Sequence, residues 1–227
     1  DGFANATLFR RMNEVGPLQN LDERNAWRFV GGVTGDVVKG WTYDAYYLFA
    51  RTRNSQIQNG NISISRMRSA LRTEIDPETG TLQCADPAAR AQGCVPANVF
   101  GEDALSPEAA DYLAISAANS EISQLQVASA SVTGELFDLG AGAVGLALGA
   151  EWRSVKSQFL PDFSLASGDV SGFNAGQATA GRYSVKEVFG ELRVPLLAEK
   201  PFAERLELTG AARYSDYSLD AVGGVFT

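Results

Sequence analysis

The stretch Trp41-Thr42-Tyr43-Asp44-Ala45-Tyr46-Tyr47-Leu48-Phe49-Ala50 separates into two files when every second residue is taken. Trp41, Tyr43, Ala45, Tyr47 and Phe49 are all apolar or aromatic, whereas Thr42, Asp44, Tyr46, Leu48 and Ala50 are mixed. A period of two sends successive side chains to opposite faces of a strand, so this segment predicts a β-strand with one greasy face. The pattern repeats in both directions. Upstream, Trp27, Phe29, Gly31, Val33, Gly35 and Val37 alternate with Arg28, Val30, Gly32, Thr34 and Asp36. Downstream, Val144, Leu146, Leu148, Ala150 and Trp152 oppose Gly145, Ala147, Gly149, Glu151 and Arg153, and similar files recur around Val188–Val194 and Leu206–Tyr214. Seven strands are therefore expected, near 3 to 13, 26 to 38, 41 to 53, 122 to 137, 143 to 157, 183 to 195 and 206 to 218; the first and fourth have the weakest alternation.

Composition narrows the functions available to these strands. The 227 residues carry 19 Lys plus Arg against 27 Asp plus Glu, a formal charge of -8, which gives no basic footprint for a nucleic acid. Histidine is absent, which removes Ser-His and Cys-His nucleophile pairs, the imidazole base and most catalytic zinc sites. No catalytic residue, metal or cofactor is expected, and the chain does not read as an enzyme. Gly140-Ala141-Gly142-Ala143-Val144-Gly145 has dinucleotide-binding spacing, but the residues after it alternate as a strand where a helix is required, so a glycine-rich hairpin is expected. No apolar run approaches the ~18 to 20 residues of a spanning helix, so any membrane role must come from strands. The chain starts at Asp1, and Val222-Gly223-Gly224-Val225-Phe226-Thr227 reads as a turn followed by the first positions of another strand; on both counts it reads as a fragment.

Alternation alone fits two architectures. A soluble β-sandwich binding module alternates because its outer face meets water. A membrane β-barrel alternates because one face meets lipid and the other an aqueous lumen. Two features favour the barrel. Trp27, Trp41, Tyr43, Trp152, Tyr183, Tyr214 and Tyr217 fall toward strand ends while the centres are Gly, Ala, Val and Leu, as in interfacial aromatic girdles. Connections also alternate between short (38 to 40, 138 to 142, 197 to 205) and long (54 to 121, 158 to 182), the rhythm of periplasmic turns and external loops. Inside the longest loop, Ser65–Thr73 has helical composition, and Ser106-Pro107-Glu108 caps a helical stretch expected over Ala109–Ala118.

Six words in order also resemble a known family: "GCVPANVFG" (Gly93–Gly101) leading into "LSPEAADYL" (Leu105–Leu113), "SGDVSGFNA" (Ser167–Ala175), "YSVKEVFGELRVPLL" (Tyr183–Leu197), "KPFAERLEL" (Lys200–Leu208) and "AARYSDYS" (Ala211–Ser218). From about Asp22 onward the chain resembles the TonB-dependent outer-membrane receptors. The resemblance implies a segment of a large antiparallel transmembrane β-barrel in the bacterial outer membrane, spanning 1–227 as one partial barrel domain with long external loops carrying short helices. It also implies uptake of a scarce nutrient (siderophore, vitamin, peptide or glycan) driven by energy from the inner membrane. Its partners would be the nutrient outside, outer-membrane lipid, a plug domain of the same parent chain and, through the plug, a periplasmic energy-coupling protein. The plug and the amino-terminal coupling box of that family are not found in this sequence.

Within this frame, Cys84 and Cys94 are expected to form a disulfide that closes a small loop in an oxidising compartment. Arg51, Arg53, Arg66 and Arg68, with Arg72, gather around the entry to the long loop; they suit either an anionic ligand such as a lipopolysaccharide phosphate or a solvated loop face. Phe163, Phe173 and Asn174, together with Phe159, suit stacking on a ring or sugar, or ordinary loop packing. Glu151, Glu187, Glu191 and Glu207 read as lumen-wall acids paired with Arg153, Arg193 and Arg213.

Overall fold

The structure, a computed structural model, describes residues 9–227. After a turn of 3-10 helix at Asn13–Val15 come β1 (Gln19–Val38), β2 (Trp41–Ile62), α1 (Ile64–Leu71), β3 (Thr73–Ile75), β4 (Leu82–Cys84), α2 (Pro87–Ala91) and α3 (Pro107–Leu113). The chain continues with β5 (Ala114–Asp138), β6 (Ala143–Pro161), α4 (Phe163–Ser167), β7 (Thr179–Lys200), β8 (Ala203–Tyr217) and β9 (Gly224–Phe226). Seven strands form one sheet in the order β1-β2-β5-β6-β7-β8-β9, and β3 pairs with β4 in a separate hairpin. The chain is thus mostly antiparallel β with few helices; among the described residues the sheet is not closed, since β1 and β9 stand at its two ends.

The set of seven differs from the expected one at both ends. Of the stretch 3 to 13, residues 3 to 8 lie outside the described residues, Phe9–Met12 form no regular element, and Asn13 enters the 3-10 turn. The seventh strand is instead β9, where Tyr214 faces Phe226 and Asp216 faces Gly224.

Strands also run further than hydrophobic alternation marks. β1, β2 and β5 are 20, 22 and 25 residues long, so the long connection is 63 to 113, not 54 to 121, and the second is 162 to 178, not 158 to 182. In these extensions polar residues stand on both faces, so no clean alternation exists to be read. Side-chain amides and hydroxyls pair across them: Asn119 Nδ2 donates to Gln56 Oε1 at 3.0 Å, Gln58 Nε2 to Asn20 Oδ1 at 2.8 Å and Ser116 Oγ to Asn59 Oδ1 at 2.7 Å.

The short connections are tight turns. Lys39-Gly40 joins β1 to β2 with Gly40 in the left-handed region at φ 80, which a two-residue hairpin turn favours. The glycine-rich segment after Asp138 is likewise a hairpin, closed by Leu139 N donating to Gly142 O at 3.1 Å. In the long connection, Ser63 Oγ accepts from Arg66 N to cap α1 and Ser106 Oγ accepts from Ala109 N to cap α3, with Pro107 at its first position. α3 stops at Leu113, short of the expected Ala118, because Ala114 already has extended backbone and opens β5.

The chain divides into two compact units. The loop unit takes in the described residues up to Glu23 with Asn54–Glu121 and Phe159–Thr179. Its core is Ala70 of α1 against Leu105 and Ala109, Ala110 and Leu113 of α3, with Met12, Val15, Ile62, Met67 and Tyr112 packed around them. The Cys84–Cys94 disulfide closes its subloop, with Cα atoms 6.2 Å apart.

The sheet unit takes in Arg24–Arg53, Ile122–Gln158 and Ala180–Thr227. Between β7 and β8, Val188 pairs with Tyr214, Leu192 with Gly210 and Val194 with Leu208, while Glu187 pairs with Ser215, Phe189 with Arg213 and Arg193 with Thr209. Paired residues share a face, so the register sorts an apolar face from a charged one. Around Glu187 exposure runs against hydropathy: Val188 is 56% and Leu208 62% exposed, whereas Glu187 is 4% and Ser215 7%. On the charged face, a Cβ at Gly149 would run into the Phe189 ring, so that ring occupies the space a side chain would need.

Two substitutions test these packings. Leu113→Ala removes the centre of the loop unit's core and should cost ~2 to 5 kcal/mol there, read as faster hydrogen exchange across α1 and α3. Gly149→Val should expel the Phe189 ring and lower stability by about 1 to 3 kcal/mol, whereas Gly149→Val combined with Phe189→Ala should recover part of the loss.

Candidate functional site

The loop unit is fastened by two aspartates that carry no signal of their role in the sequence. Asp169 lies between α4 and β7, and its carboxylate accepts from the Ser63 hydroxyl, from Ser65 N at 2.6 Å and from the Ser65 hydroxyl at 2.9 Å, all at the first turn of α1. Its own carbonyl accepts from Ile64 N at 3.0 Å, and Ser63 bridges Val170. A negative charge at the positive end of a helix, receiving otherwise unpaired N–H groups, is favourable. Burial alone would raise the Asp169 pKa; the Ser63 hydroxyl, the Ser65 N–H and hydroxyl, and the Arg66 charge outweigh it and hold the carboxyl below its ordinary value. Asp162 does comparable work at β5: its Oδ2 accepts from Ala118 N at 2.8 Å, its N donates to Ala118 O at 2.8 Å, and its Oδ1 caps α4. Asp169 stands in "SGDVSGFNA" as an acid among small residues, but its partner serines lie 104 and 106 residues away, a pairing no local pattern encodes.

The candidate arginines do not form one cluster. Arg51 and Arg53 lie on β2 in the sheet unit, whereas Arg66, Arg68 and Arg72 belong to the loop unit. Arg66 serves the fold, since its Nη1 donates to Tyr112 O at 2.9 Å and Ala114 O at 3.3 Å and its guanidinium lies over the Tyr112 ring at 5.7 Å. Arg68 and Arg72 instead line a cleft of about 350 Å³ with Ser65, Ser69, Ala85 and Asp86.

The candidate aromatics also separate. Phe163 opens α4 and is 85% exposed, so it packs against little. Phe173 is exposed, with its N donating to Val170 O at 3.1 Å, and Asn174 beside it is exposed as well. Such uncovered rings leave a stacking surface open and place no ligand atom by themselves.

The charged face of the sheet unit is organised around Glu187. Its Oε2 receives Arg153 Nη2 at 3.0 Å, and its Oε1 receives the Ser215 hydroxyl at 2.7 Å and lies 3.7 Å from Arg213 Nη1. Arg213 in turn lies over the Phe189 ring at 5.1 Å. Glu207 meets Arg205 at 2.6 Å and Arg193 at 4.0 Å. These carboxylates are engaged by cations and hydroxyls, an arrangement suited to a static polar wall. Among the described residues no group of three His, Cys, Asp or Glu could hold a metal ion.

Asp169→Ala should free the first turn of α1 and cost about 1 to 2 kcal/mol of loop-unit stability, the size of a lost helix cap, measured by thermal unfolding. Because the folded carboxyl titrates below the unfolded one, its contribution is complete above the ordinary value near 3.8 and fades as pH falls through the lower folded value. The difference between wild type and Asp169→Asn should therefore shrink in that acid window and be constant near neutrality. Compared with known proteins, the chain matches no protein-family model, no curated protein and no solved structure.

Proposed function

We propose that this chain is part of an outer-membrane, ligand-gated active transporter. Val188, Leu192, Leu208 and the residues on their face meet lipid, and the Glu187 face meets an aqueous interior. The long external loops recognise a scarce nutrient of the siderophore, vitamin, peptide or glycan kind. Energy reaches the barrel from the inner membrane through a plug domain of the parent protein and a periplasmic coupling partner. The chain itself makes and breaks no covalent bond.

The observation that carries this reading is the inverted burial where β7 pairs with β8, with apolar Val188 and Leu208 uncovered and charged Glu187 buried. Water opposes that arrangement at roughly 25 cal/mol per Å² of apolar surface, and hydrocarbon removes the penalty. The apolar files are also the right length. Trp41 to Phe49, Val144 to Trp152 and Leu206 to Tyr214 each cover nine positions, about 27 Å along the strand, near the ~25 Å apolar band of such barrels. A furrow of about 550 Å³ on this side, lined in part by Ala128, Ala130, Ala150, Trp152 and Tyr214, offers small side chains that require no interlocking partner. A soluble sandwich needs a second sheet over the same face, and among the described residues the large sheet is single.

The reading is tested by folding into lipid vesicles. Leu148→Arg or Leu192→Arg should cost ~2 to 4 kcal/mol of bilayer-folded stability, and Glu191→Gln much less. Equal penalties, or a monodisperse and fully folded protein without detergent or lipid, would overturn it.

A further inference from the structure

Ser65, Arg68 and Ser69, at steps of three and one, share a single face of α1, and Arg72 follows as its C-cap residue. Ala70, on the same helix, is buried in the loop unit's core. The polar stripe forms one wall of the 350 Å³ cleft, and Ala85 and Asp86 form the other. That second wall is fixed. Ala85 N donates to Arg72 O at 2.8 Å, Arg90 Nη1 donates to Cys84 O at 2.6 Å, the Cys84–Cys94 disulfide closes the segment behind it, and Asp86 Oδ1 caps α2 by accepting from Ala88 N at 2.9 Å.

Among the described residues, neither the Arg68 nor the Arg72 guanidinium has a carboxylate, carbonyl or ring partner. Arg66, Arg90, Arg153 and Arg213 are all engaged, in a chain of formal charge -8. Cations near a helix carboxyl end do offset its dipole, but like charges four residues apart repel. The Ser65 hydroxyl proton goes to Asp169, which leaves the Ser69 hydroxyl as the remaining donor on the stripe. Two planar forks and a hydroxyl supply donors for three oxygens, more than a carboxylate offers and the number that a terminal phosphoryl group presents.

We propose that this cleft is a phosphoryl-binding site in which Arg68 and Arg72 take the anionic oxygens and Ser69 the third. Asp86 sits at its rim as a like charge that moderates affinity. The site lies wholly within the loop unit and stands whether or not the sheet's apolar face meets lipid. The phosphoryl group belongs either to a soluble phosphate ester or to a phospholipid headgroup, and the two sources are separable.

The test is titration calorimetry of the full chain at low salt with inorganic phosphate, and separately with vesicles of phosphatidic acid against phosphatidylcholine. Saturable phosphate binding that weakens at least about tenfold in Arg68→Gln/Arg72→Gln, a difference of about 1.4 kcal/mol, and tightens in Asp86→Asn supports a soluble ligand. Binding confined to phosphatidic acid vesicles, lost in the same double variant, supports a lipid headgroup. Arg72→Lys keeps the charge and loses the fork; it should weaken either interaction and serves if the double variant does not fold. No saturable binding to either probe, or binding unchanged by the arginine substitutions, overturns the proposal.

Discussion

The side chains of Val188, Leu192, Leu208 and Tyr214 leave the sheet opposite Glu187, Arg213 and Ser215, and of these only Glu187 and Ser215 are buried. A strand cannot change which side it buries without slipping by one residue, and a slip would carry Glu187 to the apolar side and away from Arg153 and Ser215. Everything else about the sheet unit depends on this division. The arginines are drawn to the acids, glycines admit aromatic rings from neighbouring strands, and apolar side chains such as Val188 and Leu208 are left uncovered. The transporter proposal accounts for those uncovered side chains by placing them against lipid.

The loop unit obeys a different rule. Its buried apolar residues are few and gathered between α1 and α3, and its two aspartates join segments far apart in sequence. It behaves as a small globular body with caps, a disulfide and a core. Such a body can present side chains in fixed positions, which a long irregular loop cannot do without losing conformational entropy on binding.

How much of the fold is legible in the sequence depends on what the side chains have to do. Trp41–Phe49 and Val188–Val194 announce their strands because each has one apolar face. Gln56, Gln58 and Asn119 announce nothing, because a strand polar on both sides leaves no periodic trace, and alternation alone therefore makes the connections too long. Ser106-Pro107 discloses the start of α3 through local capping chemistry, yet its end at Leu113 depends on where β5 begins. Among the candidate site residues, the five arginines look alike in sequence. Tertiary placement distinguishes Arg66, spent on the carbonyls of Tyr112 and Ala114, from Arg68 and Arg72, which face a cleft.

The succession Gly149, Phe189, Arg213, Glu187 crosses three neighbouring strands, each member resting on the one before. On the transporter proposal, liquid hydrocarbon around the sheet would tolerate any lateral offset of the strands it coats. Part of the information about alignment is stored on the charged surface, in a few interdigitated groups of this kind. Such groups tie the lateral alignment of the strands to side chains that hydropathy alone does not mark.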